Sequence, residues 1–166
     1  MDRLVHLDQP LQRSMSVKDK MPPYLTFDIE LGTAIELGRT PLGQRRMVPL
    51  LGGTVSGAFS GTVLPGGSDW QVVQPGGTLE INARYILKTE AGELIEVQSS
   101  GLRACDEATL ALFDQGENVP PEAYYFRTAV RLFTAAPALL HLNNRLFTCH
   151  GQRFPRAVRL FINPVP

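Results

Sequence analysis

Leu51 to Trp70 reads LGGTVSGAFSGTVLPGGSDW and holds six of the chain's fifteen glycines together with its only tryptophan. Short apolar or hydroxyl-bearing pieces, Thr54-Val55-Ser56 and Thr62-Val63-Leu64, alternate with those glycines. Glycine inside a strand costs stability, so it is kept where backbone must bend, bulge or lie against something else. Tight corners in a closed β-structure meet that condition, and so does the wall of a ligand cavity. The stretch predicts a small β-barrel with room for a pocket, and it names no reaction.

The flanking sequence supplies the strands. Tyr24 to Leu31 alternates, with Leu25, Phe27, Ile29 and Leu31 on one face and Thr26, Asp28 and Glu30 on the other, the pattern of a half-buried strand. Thr33 to Leu37 continues it across Gly32, and Gly38 to Gly43 carries turn residues. Arg45 to Leu50 is a short strand whose Pro49 marks an edge or a bulge. Val72-Val73 is a further short strand. Thr78 to Thr89 has the strongest alternation, Leu79, Ile81, Ala83, Tyr85 and Leu87 against Glu80, Asn82, Arg84 and Lys88. A hairpin turn at Glu90-Ala91-Gly92-Glu93 leads into Leu94 to Ser100. Arg103 to Pro121 reads as a long loop with one helical turn over Glu107 to Phe113. Tyr124 to Phe133 is a strand, Thr134 is the expected N-cap of a short helix over Ala135 to Asn144, and Arg145 to Cys149 and Ala157 to Val165 close the chain. About nine or ten short strands with at most one real helix predict an all-β, compact antiparallel barrel rather than a parallel α/β fold.

Length and composition bound what such a barrel does. At 166 residues one domain is expected over 24–166, preceded by an arm over 1–23 without clear periodicity. Sixteen basic residues cancel sixteen acidic ones, which argues against a nucleic-acid or anionic-membrane partner. Zero net charge also leaves little like-charge repulsion, and Val5, Leu7 and Leu11 in the arm offer apolar contacts, so a homodimer is an expectation. Cys105 and Cys149 form no disulfide framework or zinc spacing, and no signal-like or membrane-length apolar run occurs near the N-terminus; a cytoplasmic location is expected.

No catalytic signature occurs: the chain lacks GxSxG, a P-loop, HExxH and GxGxxG. His6, His141 and His150 have no metal-like spacing, and neither a metal nor a cofactor is expected. Asp69-Trp70 is the sharper candidate, because a carboxyl beside a large aromatic is driven toward a raised pKa and suits acid–base work. The competing reading has Trp70 plugging a barrel end and Asp69 finishing the Gly66-Gly67-Ser68 turn. Arg84 alternates outward, whereas Arg127 has aromatics on both faces and is undecided; an inward arginine would need a carboxylate or an anionic ligand. Tyr85, Tyr125 and Phe126 serve equally as cavity lining or as core.

Taken in order, Gly43-Gln44-Arg45-Arg46, Gly52 to Gly57, Gly61 to Trp70 with its LPGGSDW, Ala83-Arg84-Tyr85, Leu87 to Glu90, Gly101-Leu102-Arg103, Tyr125-Phe126-Arg127, Phe133-Thr134 and Leu142-Asn143 form a series that resembles the DUF3237 family, also called UPF0311. The resemblance spans about residues 24 to 165. It implies a calycin-like antiparallel barrel whose members are mostly without an assigned activity, with gene neighbourhoods that hint at small aromatic or polyketide-like ligands. Carried over by position, it implies pocket residues Asp69, Trp70, Arg84, Tyr85, Arg103, Tyr125, Arg127 and Asn143. His141 stands where the family often has Trp, which would reshape one pocket wall. Glu90-Ala91-Gly92 departs from the usual Asp-Gly turn.

The resulting expectation is a barrel that binds a small, largely apolar molecule, with Asp69 and Arg127 orienting its polar end. The alternative is a cofactor-free enzyme for cyclisation, isomerisation or addition, with Asp69 moving the proton and Arg84 or Arg127 stabilising an oxyanion. A third reading, a partner-binding module, requires a filled barrel and a large exposed apolar patch.

Overall fold

The structure, a computed structural model, describes residues 21–166; the expected arm lies almost wholly outside the described residues. Ten strands follow in order: β1 (Leu25–Leu31), β2 (Ile35–Thr40), β3 (Gly43–Gly57), β4 (Gly61–Val63), β5 (Gly67–Val73), β6 (Leu79–Thr89), β7 (Leu94–Ala104), β8 (Tyr125–Thr134), β9 (Phe147–Phe154) and β10 (Ala157–Pro164). One α-helix, α1 (Glu107–Asp114), interrupts the connection from β7 to β8.

All pairings are antiparallel, running β1-β10-β9-β8-β7-β6 and then through β4 and β5 to β3, which returns to β1. The ring is a closed eight-stranded barrel with β2 as an added strand on β3 and with β4 and β5 sharing one position. Closure removes the sheet edges that an open antiparallel sheet would expose.

The alternation of β6 is complete: Leu79, Ile81, Ala83, Tyr85 and Leu87 are buried, while Glu80, Asn82, Arg84, Ile86 and Lys88 are exposed. β3 is far longer than the expected Arg45–Leu50, because the glycine stretch carries it on to Gly57. Pro49 sits where β3 changes partner along one edge, from β2 (paired up to Met47) to β1 (paired from Leu50). A missing amide is tolerated at such a break in the ladder.

The LPGG segment is a bulge between two halves of one strand. Four steps from Val63 to Gly67 lie opposite three steps on β3, Gly53 to Leu50. Gly66 has φ +103°, a conformation open chiefly to glycine. Gly67 runs so close to β6 that a Cβ there would collide with Tyr85.

Two short elements close the ends. α1 is a full eight-residue helix rather than a single turn, capped by Asp106, whose carboxylate accepts from the Thr109 amide at 2.8 Å. The expected helix over Ala135 to Asn144 is a run of 3-10 turns over Pro137–Asn144. Thr134 ends β8 instead of capping a helix, although its hydroxyl accepts from the Ala136 amide at 3.1 Å. Leu142, fully buried, is pressed from these turns into the core. At that end Leu25, Leu87, Ile95, Leu132, Phe147 and Ile162 are all at most 2% exposed and fill the barrel.

Candidate functional site

The opposite end is hollow. A cavity of about 320 Å³ opens between the β1–β2 connection, Gly32 to Ala34, and the β9–β10 turn at Pro155 and Arg156. Ile29, Val48, Leu50, Ile81, Ala83 and Leu160 make the walls apolar, and a small set of polar groups converges on the interior, the design of a small-molecule site.

Strand parity decides which polar groups enter. On β5, Asp69 lies opposite Val48 of β3 and Ala83 of β6, and Gln71 lies opposite Arg46 and Ile81. These residues line the cavity, while Trp70 between them points outward and is 46% exposed. A linear hydrogen-bonded chain runs along this wall: Arg46 Nε donates to Gln71 Oε1 at 2.8 Å, and Gln71 Nε2 donates to Asp69 Oδ2 at 2.6 Å. The Asn82 backbone amide donates to Asp69 Oδ1 at 3.0 Å. Asp69 therefore takes its amide from the neighbouring strand, not from its own turn. Burial pushes its carboxyl above the ordinary range, against the lowering pull of Gln71, the Asn82 amide, Arg46 and Arg103.

Deeper in, Tyr85 is 3% exposed and its hydroxyl has no hydrogen-bond partner among the described residues. Burial raises its pKa well above the phenol value, and the nearby Cys149 and Asp69 add to the rise. Beside it, Ser99 Oγ donates to Thr128 Oγ1 at 2.8 Å, both side chains being buried. A buried hydroxyl without a partner is costly, and Tyr85 holds one on the cavity wall.

At the rim, Arg103 of β7 and Arg153 of β9 both pack on the ring of Phe113 from α1, with guanidinium carbons 4.5 and 4.9 Å from its centroid. Burial lowers the Arg103 pKa to about 10, and Arg153 and Arg46 contribute to the fall. Arg153 is likewise lowered, by burial and then by Arg46, and its Nη1 is buried without a partner among the described residues.

Of the candidates named from sequence, Asp69, Tyr85 and Arg103 stand on the cavity wall, and Phe126 joins them. The others do not. Arg84 points out of the barrel and pairs with Glu96 at 2.8 Å. Arg127 and Tyr125 share the outer face of β8, with Tyr125 54% exposed, the Arg127 guanidinium 5.4 Å from its ring and Arg127 Nη1 donating to the Phe126 carbonyl at 2.9 Å. His141 is exposed on the 3-10 turns, its Nε2 3.5 Å from the Tyr24 hydroxyl. Asn143 holds those turns to β8: its side-chain oxygen accepts from the Thr134 amide at 3.0 Å, and its side-chain NH2 donates to the carbonyls of Thr134 and Leu140 at 2.9 and 3.0 Å. Alternation explains the exclusion of Trp70, Arg84, Tyr125 and Arg127, since every second residue of a barrel strand faces solvent, whereas His141 and Asn143 lie on the 3-10 turns outside the strands.

Arg46, Gln71, Arg153 and Arg156 were not among the candidates. Arg46 was accessible to the same reasoning, since it shares a face with Val48 and Leu50. Gln71 shares one with Asp69. Arg153 was hidden because β9 reaches Phe154, whereas the expected strand stopped at Cys149. Among the described residues, no group of three or more His, Cys, Asp or Glu side chains is placed to hold a metal ion.

A family model described as a protein of unknown function, DUF3237, matches residues 20–163. The chain belongs to the DUF3237 family. A UPF0311 protein from Clostridium acetobutylicum is 38% identical over 120 residues, which is 72% of this chain and 76% of that protein. The crystal structure of a conserved protein of unknown function from Rhodopseudomonas palustris superposes with a TM-score of 0.82 at 32% identity, covering 87% of this DUF3237 chain and 95% of its own. A crystal structure of an enzyme from Penicillium herquei has a TM-score of 0.60 at 21% identity, covering 86% and 96%, a likeness of fold alone.

Proposed function

We propose that this DUF3237 barrel binds a small, largely apolar molecule in its hollow end, with the ligand's polar groups meeting Asp69 and Tyr85. The carrying observation is an open 320 Å³ cavity whose apolar walls present a buried carboxyl and an unpartnered buried hydroxyl. Arg127, expected to orient the ligand, lies outside, and Arg46 and Arg103 occupy that place. The neutral fluorophore N-phenyl-1-naphthylamine tests the reading. Its emission should rise with the native chain and stay at the buffer level with Ala83→Phe, which fills the cavity between Asp69 and Ser99. Undiminished emission with a folded Ala83→Phe protein would remove the cavity as the site.

A second reading, cofactor-free acid–base catalysis in the same cavity, is favoured by Asp69 itself. Burial raises its pKa, the direction that suits a carboxyl to general acid–base work. Arg46 and Arg103 are the cationic groups near it on the wall, so they, rather than Arg84 or Arg127, would stabilise a developing oxyanion. Exchange of the α-protons of 2-tetralone in D2O, followed by NMR, should be accelerated by the native chain and not by Asp69→Asn. No acceleration by the native chain counts against this reading and leaves ligand binding intact.

A further inference from the structure

The charged groups of the cavity do not balance. Four arginines, Arg46, Arg103, Arg153 and Arg156, reach its lining, against the single carboxyl of Asp69. None of the four makes a salt bridge among the described residues, whereas the outward Arg84 and Arg159 are paired with Glu96 and Asp28. Among the described residues, the cavity thus gathers four guanidinium groups, none of them paired with a carboxylate in a salt bridge.

Two of them are fixed in place. Arg103 and Arg153 lie against one ring, Phe113, which is itself buried on the helix that leans over the rim. Among the described residues, the buried Nη1 of Arg153 has no acceptor. Like charges gathered in a partly desolvated place are costly unless an anion completes the set, and guanidinium is the group best shaped to hold a planar carboxylate. Below this rim Ile81, Ala83 and Leu160 give the wall an apolar stretch beside the hydroxyls of Tyr85, Ser99 and Thr128.

On the reading that the cavity is a ligand site, we infer that its ligand is a small organic acid: the carboxylate sits among Arg46, Arg103 and Arg153, and the apolar body lies against Ile81, Ala83 and Leu160 below. Asp69, the carboxyl of the wall, is engaged by Gln71 and the Asn82 amide, so it does not neutralise the rim in the ligand's place.

Calorimetric titration of the full-length chain with 2-naphthoate, 2-naphthamide and inorganic phosphate tests the inference. Naphthoate should bind at least about tenfold more tightly than the isosteric amide, and rising salt should weaken it. Arg153→Gln should weaken naphthoate roughly tenfold or more, the size expected for a lost charge-assisted bond, and leave naphthamide unchanged. Arg84→Gln, on the outer face, should change neither. Should Arg153→Gln fail to fold, Arg46→Gln carries the same expectation. Equal affinities for the acid and the amide would overturn the organic-acid assignment while the cavity remains a ligand site. Absence of binding by both would overturn the ligand site and this inference with it. Phosphate displacing naphthoate at equal concentration would show a bare-anion site and overturn the role given to the apolar wall.

Discussion

The two ends of this barrel are built from the same strands and differ in what those strands point inward. At one end Leu25, Leu87, Ile95, Leu132, Phe147 and Ile162 meet, and Leu142 seals them from the 3-10 turns. At the other, the same strands turn Arg46, Asp69, Gln71, Ala83, Ser99, Arg103 and Arg153 into a space they do not fill. Stability is therefore concentrated at the packed end, and the hollow end is free to carry polar groups that a close-packed core would exclude.

That division can be broken by substitution. Phe147→Ala at the packed end should cost about 3–5 kcal/mol, because it opens a cavity in filled core. Ile81→Ala, facing space that is already empty, should fall at the low end of its class, near 2 kcal/mol. Denaturant titration of both gives the comparison, and equal losses would mean the two ends share one level of packing. Asn143→Ala removes three hydrogen bonds that fasten the seal. A loss of about 1–3 kcal/mol is expected, with naphthoate affinity unchanged, since Asn143 is remote from the cavity.

Asp69 sharpens the comparison through pH. Its folded carboxyl holds its proton to a higher pH than the unfolded one. Its contribution to stability is thus fully present below the unfolded value, about 3.9, and is lost as pH rises through the folded value. Melting curves of native chain and Asp69→Asn should therefore diverge as pH rises above about 4, the native chain losing ground. Parallel curves would mean the carboxyl is not desolvated by the cavity. Smallest of all, Arg84→Gln should change stability by no more than about 0.5 kcal/mol, because its pair with Glu96 is exposed.

Much of this was legible in the sequence. The strict alternation of β6 and β1 gave the correct inward faces for Leu79 to Leu87 and Leu25 to Ile29, and the LPGGSDW series pointed to the family. What was not legible was parity past an irregularity. The orientation of Asp69 against Trp70 depends on how many residues the bulge before Gly67 absorbs, and no local pattern states that number. Arg127 failed for a related reason: Tyr125 and Phe126 are adjacent aromatics, so hydrophobicity does not say which face is the core. Asn143 belongs to the series that resembles the family, yet its three hydrogen bonds account for it as a fastening of the barrel's closed end. Among the described residues, no helix is long and apolar enough to cross a membrane.

The bulge at Leu64 to Gly66 has a consequence for how such a protein changes over generations. Because a strand's side chains alternate with period two, deleting one codon between Val63 and Ser68 would reverse β5 if the bulge were kept and the pairing with β3 and β6 slid by one residue. Asp69 and Gln71 would turn to solvent, and Trp70 would swing into the hollow. A single small deletion would thus exchange an acid-bearing cavity for an indole-filled core, without altering any residue that lines it today.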